Sequence, residues 1–168
     1  MSRTLVAASS QYLDIATAVV TTTPLTMACW VNLTSVLAQG IMSVYDSGVN
    51  NQNRHDLCIR NAGSRPVART TASDGTSNES GAPAIDMSTN TWYHLAGVFA
   101  SATSRFCYRD GNAGTEGTTS KAPSTLNATA LGGFIDTAST GFMGGMIMEA
   151  AVWDVALSAA EIAALATR

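Results

Sequence analysis

The segment from Pro24 to Leu33, PLTMACWVNL, places Leu25, Met27, Cys29 and Val31 on one side of an extended chain and Thr26, Ala28, Trp30 and Asn32 on the other. A period of two kept over this length specifies a strand with one face apolar enough to need a second layer. Shorter runs rich in Val, Ile, Thr and aromatics repeat the pattern at Thr4 to Ala8, Gln11 to Ala16, Ile41 to Asp46, Arg54 to Arg60, Pro66 to Thr71, Trp92 to Phe99, Arg105 to Arg109, Ala128 to Phe134 and Met146 to Trp153. Clusters of Gly, Asn, Asp, Ser and Pro separate them, which is how an all-β chain of about ten strands is punctuated. The expectation is a two-sheet antiparallel sandwich.

Arg105-Phe-Cys-Tyr-Arg-Asp-Gly111 alternates Phe106 and Tyr108 with arginines, and Asp110-Gly111 tolerates the positive φ of a tight hairpin, so an antiparallel partner should follow. Residues 72 to 91 are small, polar and turn-rich, and predict a long surface loop anchored at Ile85 and Met87. A helical period occurs once. Ser158-Ala-Ala-Glu161 forms a capping box, and Leu157, Ile162 and Leu165 give one apolar edge. So short a helix is marginal alone and must dock, here on the end of the sandwich. No repeat or linker divides the chain, so residues 1–168 are expected to form one domain.

Apolar residues make up 46% of the chain and charged ones 12%, about half the usual ~25%, so burial has to drive folding. Net charge is −3 and Lys121 is the sole lysine, which leaves no basic field for a phosphate backbone and argues against nucleic acid. No run approaches the ~20 apolar residues of a membrane helix, and the first residues lack the apolar core of a secretory signal, so neither a membrane nor export is expected. Cys29, Cys58 and Cys107 are odd in number and lie among apolar neighbours, as small buried hydrophobes do. The glycosylation-type triplets at Asn32, Asn78 and Asn127 are treated as chance.

From Glu149 to Leu165, EAAVWDVALSAAEIAAL resembles the closing segment of laminin-G-like, concanavalin A-like jelly-roll domains, where a Gly-x-Ile-x-Glu strand leads to an aromatic, Ala-Leu-Ser and a short helix. Ser10 to Ile15, Leu25 to Val31, Trp92 to Phe99 and Tyr108 to Gly111 resemble earlier elements of that family in the expected order. The resemblance implies a jelly-roll binding module, sometimes with calcium at its rim. It also implies what a catalytic member would need. β-Glucanases of this fold carry two glutamates and an aspartate at alternate positions of one strand. Glu79, Glu116, Glu149 and Glu161 offer no such pair, so the chain is expected not to be an enzyme.

Candidate ligand-binding residues fall in two stretches. The loop Asp46 to Asn53, with Asp46, Asn50, Asn51 and Asn53 followed by His55 and Asp56, is oxygen-rich enough to wrap a calcium ion or a sugar. Glu149 lies in an apolar strand, where burial would demand a partner, and Trp153 or Tyr45 could offer a stacking platform. Asp46, Asp56 and Glu149 are the calcium candidates, weakened by Met148 where the family usually has an acid. His94 is expected to be a packing residue, and Asp74 and Asp136 rim acids. Stand-alone domains opening like Arg3 to Leu13 resemble phage-encoded ones. The first expectation is therefore a non-enzymatic structural or adhesion protein of a bacteriophage particle, a capsid decoration or tail-associated module, made in the host cytoplasm and contacting virion proteins or copies of itself. The alternative is a soluble carbohydrate-binding lectin, extracellular and with calcium as an optional cofactor, that meets a cell-surface glycan; a glycoside hydrolase is the least expected reading.

Overall fold

A computed structural model of the chain describes residues 1–60, 64–81 and 86–167. Among these, twelve strands are found: β1 (Arg3–Leu5), β2 (Leu13–Ile15), β3 (Leu25–Leu33), β4 (Gln39–Tyr45), β5 (Arg54–Arg60), β6 (Arg65–Thr71), β7 (Ser77–Glu79), β8 (Trp92–Ser101), β9 (Ser104–Arg109), β10 (Asn112–Ala113), β11 (Ala128–Leu131) and β12 (Gly145–Trp153), followed by helix α1 (Ala159–Leu165). The first sheet runs β1-β12-β3-β8-β9-β10 and the second β2-β11-β4-β5-β6-β7. All pairings between named strands are antiparallel. The expected jelly-roll sandwich is what the chain forms.

The alternation in β3 decides which way that strand faces. Leu25, Met27, Cys29, Val31 and Leu33 enter the core between the sheets with Leu95, Phe99, Ile41, Val44, Leu57 and Ile59. Each large apolar side chain removed from water in this way contributes about 1.5–3 kcal/mol. On the outer face of the first sheet, Ala28, Ala96, Val98 and Tyr108 form a second cluster around Ile162 of α1. The helix therefore lies over this outer face rather than closing the end of the sandwich. Its capping box forms as expected, with Glu161 N donating to Ser158 Oγ at 3.3 Å and Ser158 N to Glu161 Oε2 at 2.8 Å. The hydroxyl of Thr26 accepts from Leu157 N and donates to Val155 O, tying the turn before the helix to β3.

The Asp110-Gly111 hairpin joins β9 to β10 with both residues at positive φ. The long polar connection holds the short β7, paired with β6, which the sequence reading passed over. Met87 is its buried anchor, and Ile85 lies outside the described residues. The three cysteines are free and buried, and burial pushes Cys58 up to about 12, so they act as hydrophobes.

The interior is less apolar than the sequence suggests. The arginine side of β9 turns inward. Arg105, fully buried, is held by Asn78 and by the carbonyls of Thr119 (3.1 Å) and Ala102 (2.6 Å). His55 is also inside, with its ring 4.7 Å from that of Phe99 and Nδ1 3.0 Å from Thr70 Oγ1. Burial pushes its pKa down from 6.5 to about 4, only partly offset by Asp56. Because the folded value is the lower one, the stabilisation from a neutral His55 is complete above pH 6.5 and is lost as pH falls toward 4. Urea unfolding stepped through that window should lose about 3 kcal/mol, most of it before the carboxylates titrate, and a His55→Gln chain should lose much less.

Candidate functional site

The segment 132–143 crosses back over the outer face of the second sheet. Ile135 and Phe142 pack on Tyr45, Ala128 and Ala130. Gly40 N donates to Gly141 O and Gly132 N to Ile41 O, which pins the segment at both ends to β4. Opposite it stands the β4–β5 loop. Asp46 shapes that loop: Oδ1 accepts from Gly48 N at 2.9 Å and Asn127 Nδ2 at 3.2 Å, and Oδ2 accepts from the Thr125 hydroxyl. These bonds, with Thr125 the largest, hold its carboxyl below the usual range. Asn51 and Asn53 take positive φ, which asparagine tolerates better than most residues.

Between the two segments lies a cleft of about 310 Å³ lined by Asn50, Asn51, Arg54, Arg69, Phe134, Asp136 and Thr140. Its floor is a charged chain. Arg69 donates through Nε (3.0 Å) and Nη2 (2.8 Å) to Asp56 Oδ2. Asp56 Oδ1 lies 3.8 Å from Arg54 Nε, and Arg54 Nη2 donates to Ile135 O at 2.8 Å and to Asp136 Oδ2 at 3.2 Å. Asp136 then accepts from Asn51 N (3.1 Å) and Ala138 N (2.8 Å), joining the two walls. The Arg69 guanidinium lies 4.8 Å from the centre of the Phe134 ring. Burial is the largest single influence and works against its charge, but Asp56 and the weaker contributions of Cys58 and Glu79 together outweigh it and raise its pKa. The cleft thus offers guanidinium donors, two exposed amides, a hydroxyl and an aromatic ring.

Several sequence expectations are corrected here. His55 is buried against Phe99 and lies outside the cleft. Asp56 is fully buried and spent on two arginines, so it is no calcium ligand. Asn53 is buried scaffold, accepting from Ser124 N at 3.0 Å, and Tyr45 is covered and offers no platform. Asn50 and Asn51 do line the cleft, and Asp46 supports it from the rim. Glu149 is exposed on a β-bulge between Met148 and Ala151, at φ 52°, instead of buried within its strand. With Trp153 it belongs to the outer face of the first sheet, on the other side of the molecule. The three calcium candidates therefore share no site, and among the described residues no group of three or more His, Cys, Asp or Glu side chains could hold a metal ion. Arg54, Arg69, Phe134 and Thr140 were missed; the sequence signal was the register that sets Asp56 opposite Arg69, which only strand pairing reveals.

Two antiparallel sheets of six strands, with a loop-framed cleft on the outer face of the second whose acids are paired to arginines, define a jelly-roll sandwich. Residues 7–163 match the model of the Concanavalin A-like lectin/glucanases superfamily of laminin G type, and the chain belongs to that family. No curated protein matches it. Among solved structures, the native heptameric SAP-like pentraxin from Limulus polyphemus is similar at TM-score 0.74 and 16% identity, over 93% of this chain and 75% of that one. The CBM40 of the Ruminococcus gnavus IT-sialidase, bound to α2,3 sialyllactose, is similar at 0.70 and 19%, over 87% and 84%. Domain 4 of the GH43 extracellular arabinanase AbnA from Geobacillus stearothermophilus, in complex with arabinotriose, is similar at 0.70 and 14%, over 93% and 72%.

Proposed function

We propose that the chain is a non-catalytic carbohydrate-binding domain and that its glycan site is the cleft of Asn50, Asn51, Arg69, Phe134 and Thr140. The observation that carries this reading is the joining of a half-buried aromatic ring and its cation to exposed amides in one walled cleft, the mixture that orients a ring with hydroxyls on its edge. Two of the similar folds hold oligosaccharides, sialyllactose in one and arabinotriose in the other. Hydrolysis is disfavoured because Asp56 and Asp136 both serve Arg54, which leaves no opposed acid and base.

A glycan array followed by calorimetry on the best ligand tests this. Binding should persist in chelator, and Asn50→Ala and Phe134→Ala should each weaken it about tenfold or more, with Asn50→Ala leaving the melting temperature unchanged. Absence of any glycan ligand, or full affinity in both variants, would sink the reading.

A second reading, a structural part of a bacteriophage particle, is favoured by one feature. Exposed Leu13, Ile15 and Val19 line an apolar groove of about 340 Å³ along the β2 edge, a surface suited to a virion neighbour or another copy of the chain. Mass spectrometry of purified particles, with Ile15→Glu expected to prevent incorporation, separates this reading from the first.

A further inference from the structure

One end of the sandwich opens between the two sheets, in a cavity of about 230 Å³ whose walls include Thr21, Thr22, Thr23, His55, Lys121 and Ser124. It shares no lining residue with the glycan cleft. Strand register explains where it sits. Leu25 at the start of β3 pairs with Phe99 near the end of β8, and Arg54 at the start of β5 pairs with Tyr45 and Thr71, which end β4 and β6. The threonines that lead into β3, the β8–β9 turn at Ala102 and the segment before β11 therefore meet at this end. Lys121 N donates to Ala102 O at 2.9 Å, and Ser124 N to Asn53 Oδ1 at 3.0 Å. These two bonds tie the segment 121–126 to a hairpin of the first sheet and a loop of the second.

His55 is the least exposed residue of this wall, at 1%. Its Nδ1 is taken by the Thr70 hydroxyl. Nε2 has no hydrogen-bond partner among the described residues and is not one of the sealed polar atoms, so what little of the ring remains accessible opens on the cavity. Thr70 is buried and its hydroxyl has no other partner among the described residues, so its proton goes to Nδ1; the reverse arrangement would strand a buried O–H. Burial chiefly, and the Arg105 charge more weakly, keep the ring neutral near pH 7 against the pull of Asp56. The ring's one proton therefore sits on Nε2, a donor aimed into the cavity.

Charge points the same way. The Lys121 ammonium gives one of its three donors to the Thr76 hydroxyl, and no Asp or Glu lines the cavity among the described residues. Asp74, held below the usual range by its bonds from Thr76 and more weakly by Lys121, makes no ion pair with that lysine among the described residues. Arg105, anchored on the Ala102 carbonyl, is fully buried and has no carboxylate partner among the described residues, so its charge adds to the field. The Ser124 hydroxyl donates to Asn53 Oδ1, which leaves its oxygen as an acceptor beside the threonine hydroxyls.

A buried donor, a shared ammonium and a ring of hydroxyls suit a monoanion that carries a hydroxyl of its own. A phosphate dianion would ask for more donors than one imidazole and one lysine supply, since Arg105 lends field and not contact. The space is smaller than the ~300–1,000 Å³ of pockets for drug-sized ligands, so the guest is small. We infer that this end cavity binds a small hydroxy carboxylate, its carboxylate on His55 Nε2–H and the Lys121 ammonium and its hydroxyl among Ser124 and the three threonines. The site stands whether or not the cleft on the second sheet takes a glycan.

The chain holds 2 histidines, so imidazole ¹⁵N spectra of labelled protein read His55 with His94 as the internal control. Titration with sodium L-lactate at pH 7 and constant ionic strength should move the His55 Nε2 resonance to saturation with a Kd of about a few millimolar. His94, which does not line the cavity, should stay put. Lactamide, which keeps the shape without the charge, and acetate, which lacks the hydroxyl, should each bind about fivefold more weakly or worse. Lys121→Met keeps the stem and removes the charge; it should weaken lactate about tenfold with the amide spectrum away from the cavity unchanged. An unmoved His55 signal, an equal shift at His94, lactamide or acetate binding as tightly as lactate, inorganic phosphate binding more tightly than lactate, or full affinity in Lys121→Met would each overturn the proposal.

Discussion

Asp56→Ala is expected to be among the most damaging single changes to this protein, lowering stability by about 3–5 kcal/mol and the melting temperature by about 10–15 °C. The carboxylate is fully buried beneath the 132–143 segment and neutralises two guanidinium groups, Arg54 at 3.8 Å and Arg69 at 2.8 Å. Removing it leaves one guanidinium with its side chain 1% exposed and another 13% exposed, neither able to shed its proton. Water cannot repair that without lifting the segment above. The control is Asp86→Ala, which breaks an ion pair of similar length whose partners are 42% and 59% exposed and should cost less than about 1 kcal/mol. Denaturation of both variants checks the contrast. A loss below about 1 kcal/mol for Asp56→Ala would mean that the charged floor is already hydrated.

Gly40→Ala is expected to act as strongly, by a different route. A Cβ on Gly40 would lie 2.3 Å from the carbonyl carbon of Gly133, 2.4 Å from its oxygen and 2.7 Å from Phe134 N. All three atoms are backbone, so no rotamer change relieves the overlap, and β4 and the overlying segment have to separate. The cost should reach about 3 kcal/mol, or about 10 °C in melting temperature. Phe134 and Asp136 lie just beyond the clash, so ligand binding at the cleft should vanish even at temperatures where the chain stays folded. Limited proteolysis should cut first between residues 133 and 141. A variant that melts lower but still binds glycan normally would separate the segment from the site.

Periodicity made the sandwich legible because period-two patterning needs no knowledge of the partner strand: the faces of β3, the hairpin at Asp110-Gly111 and the capping box at Ser158 all appear as read. The candidate site was half legible. Asn50 and Asn51 are legible as the exposed amides of an oxygen-rich loop, a pattern that ordinary turn chemistry also produces, but His55 and Asp56 were assigned to the rim when both are interior. In Arg54-His55-Asp56 each charge or dipole meets a partner 13 to 82 positions away in sequence, which no local pattern encodes. The same holds for Arg105 inside β9. An arginine on an alternating strand is expected to face water unless its distant acceptors are known. Glu149 was misplaced for a local reason, since a bulge adds one residue and shifts the alternation behind it.

The first strand and the last helix bear on how such a domain could be carried. Arg3 pairs opposite Ile147, and Leu165 shares a cavity wall with Glu149, so the first strand and the end of the helix lie near one corner of the first sheet. A polypeptide tethered there, or a host loop into which the domain is spliced, would meet no obstruction at the Asn50 and Arg69 face, which looks away from the point of attachment. Covering that corner would leave the space between Asn50 and Phe134 open to water.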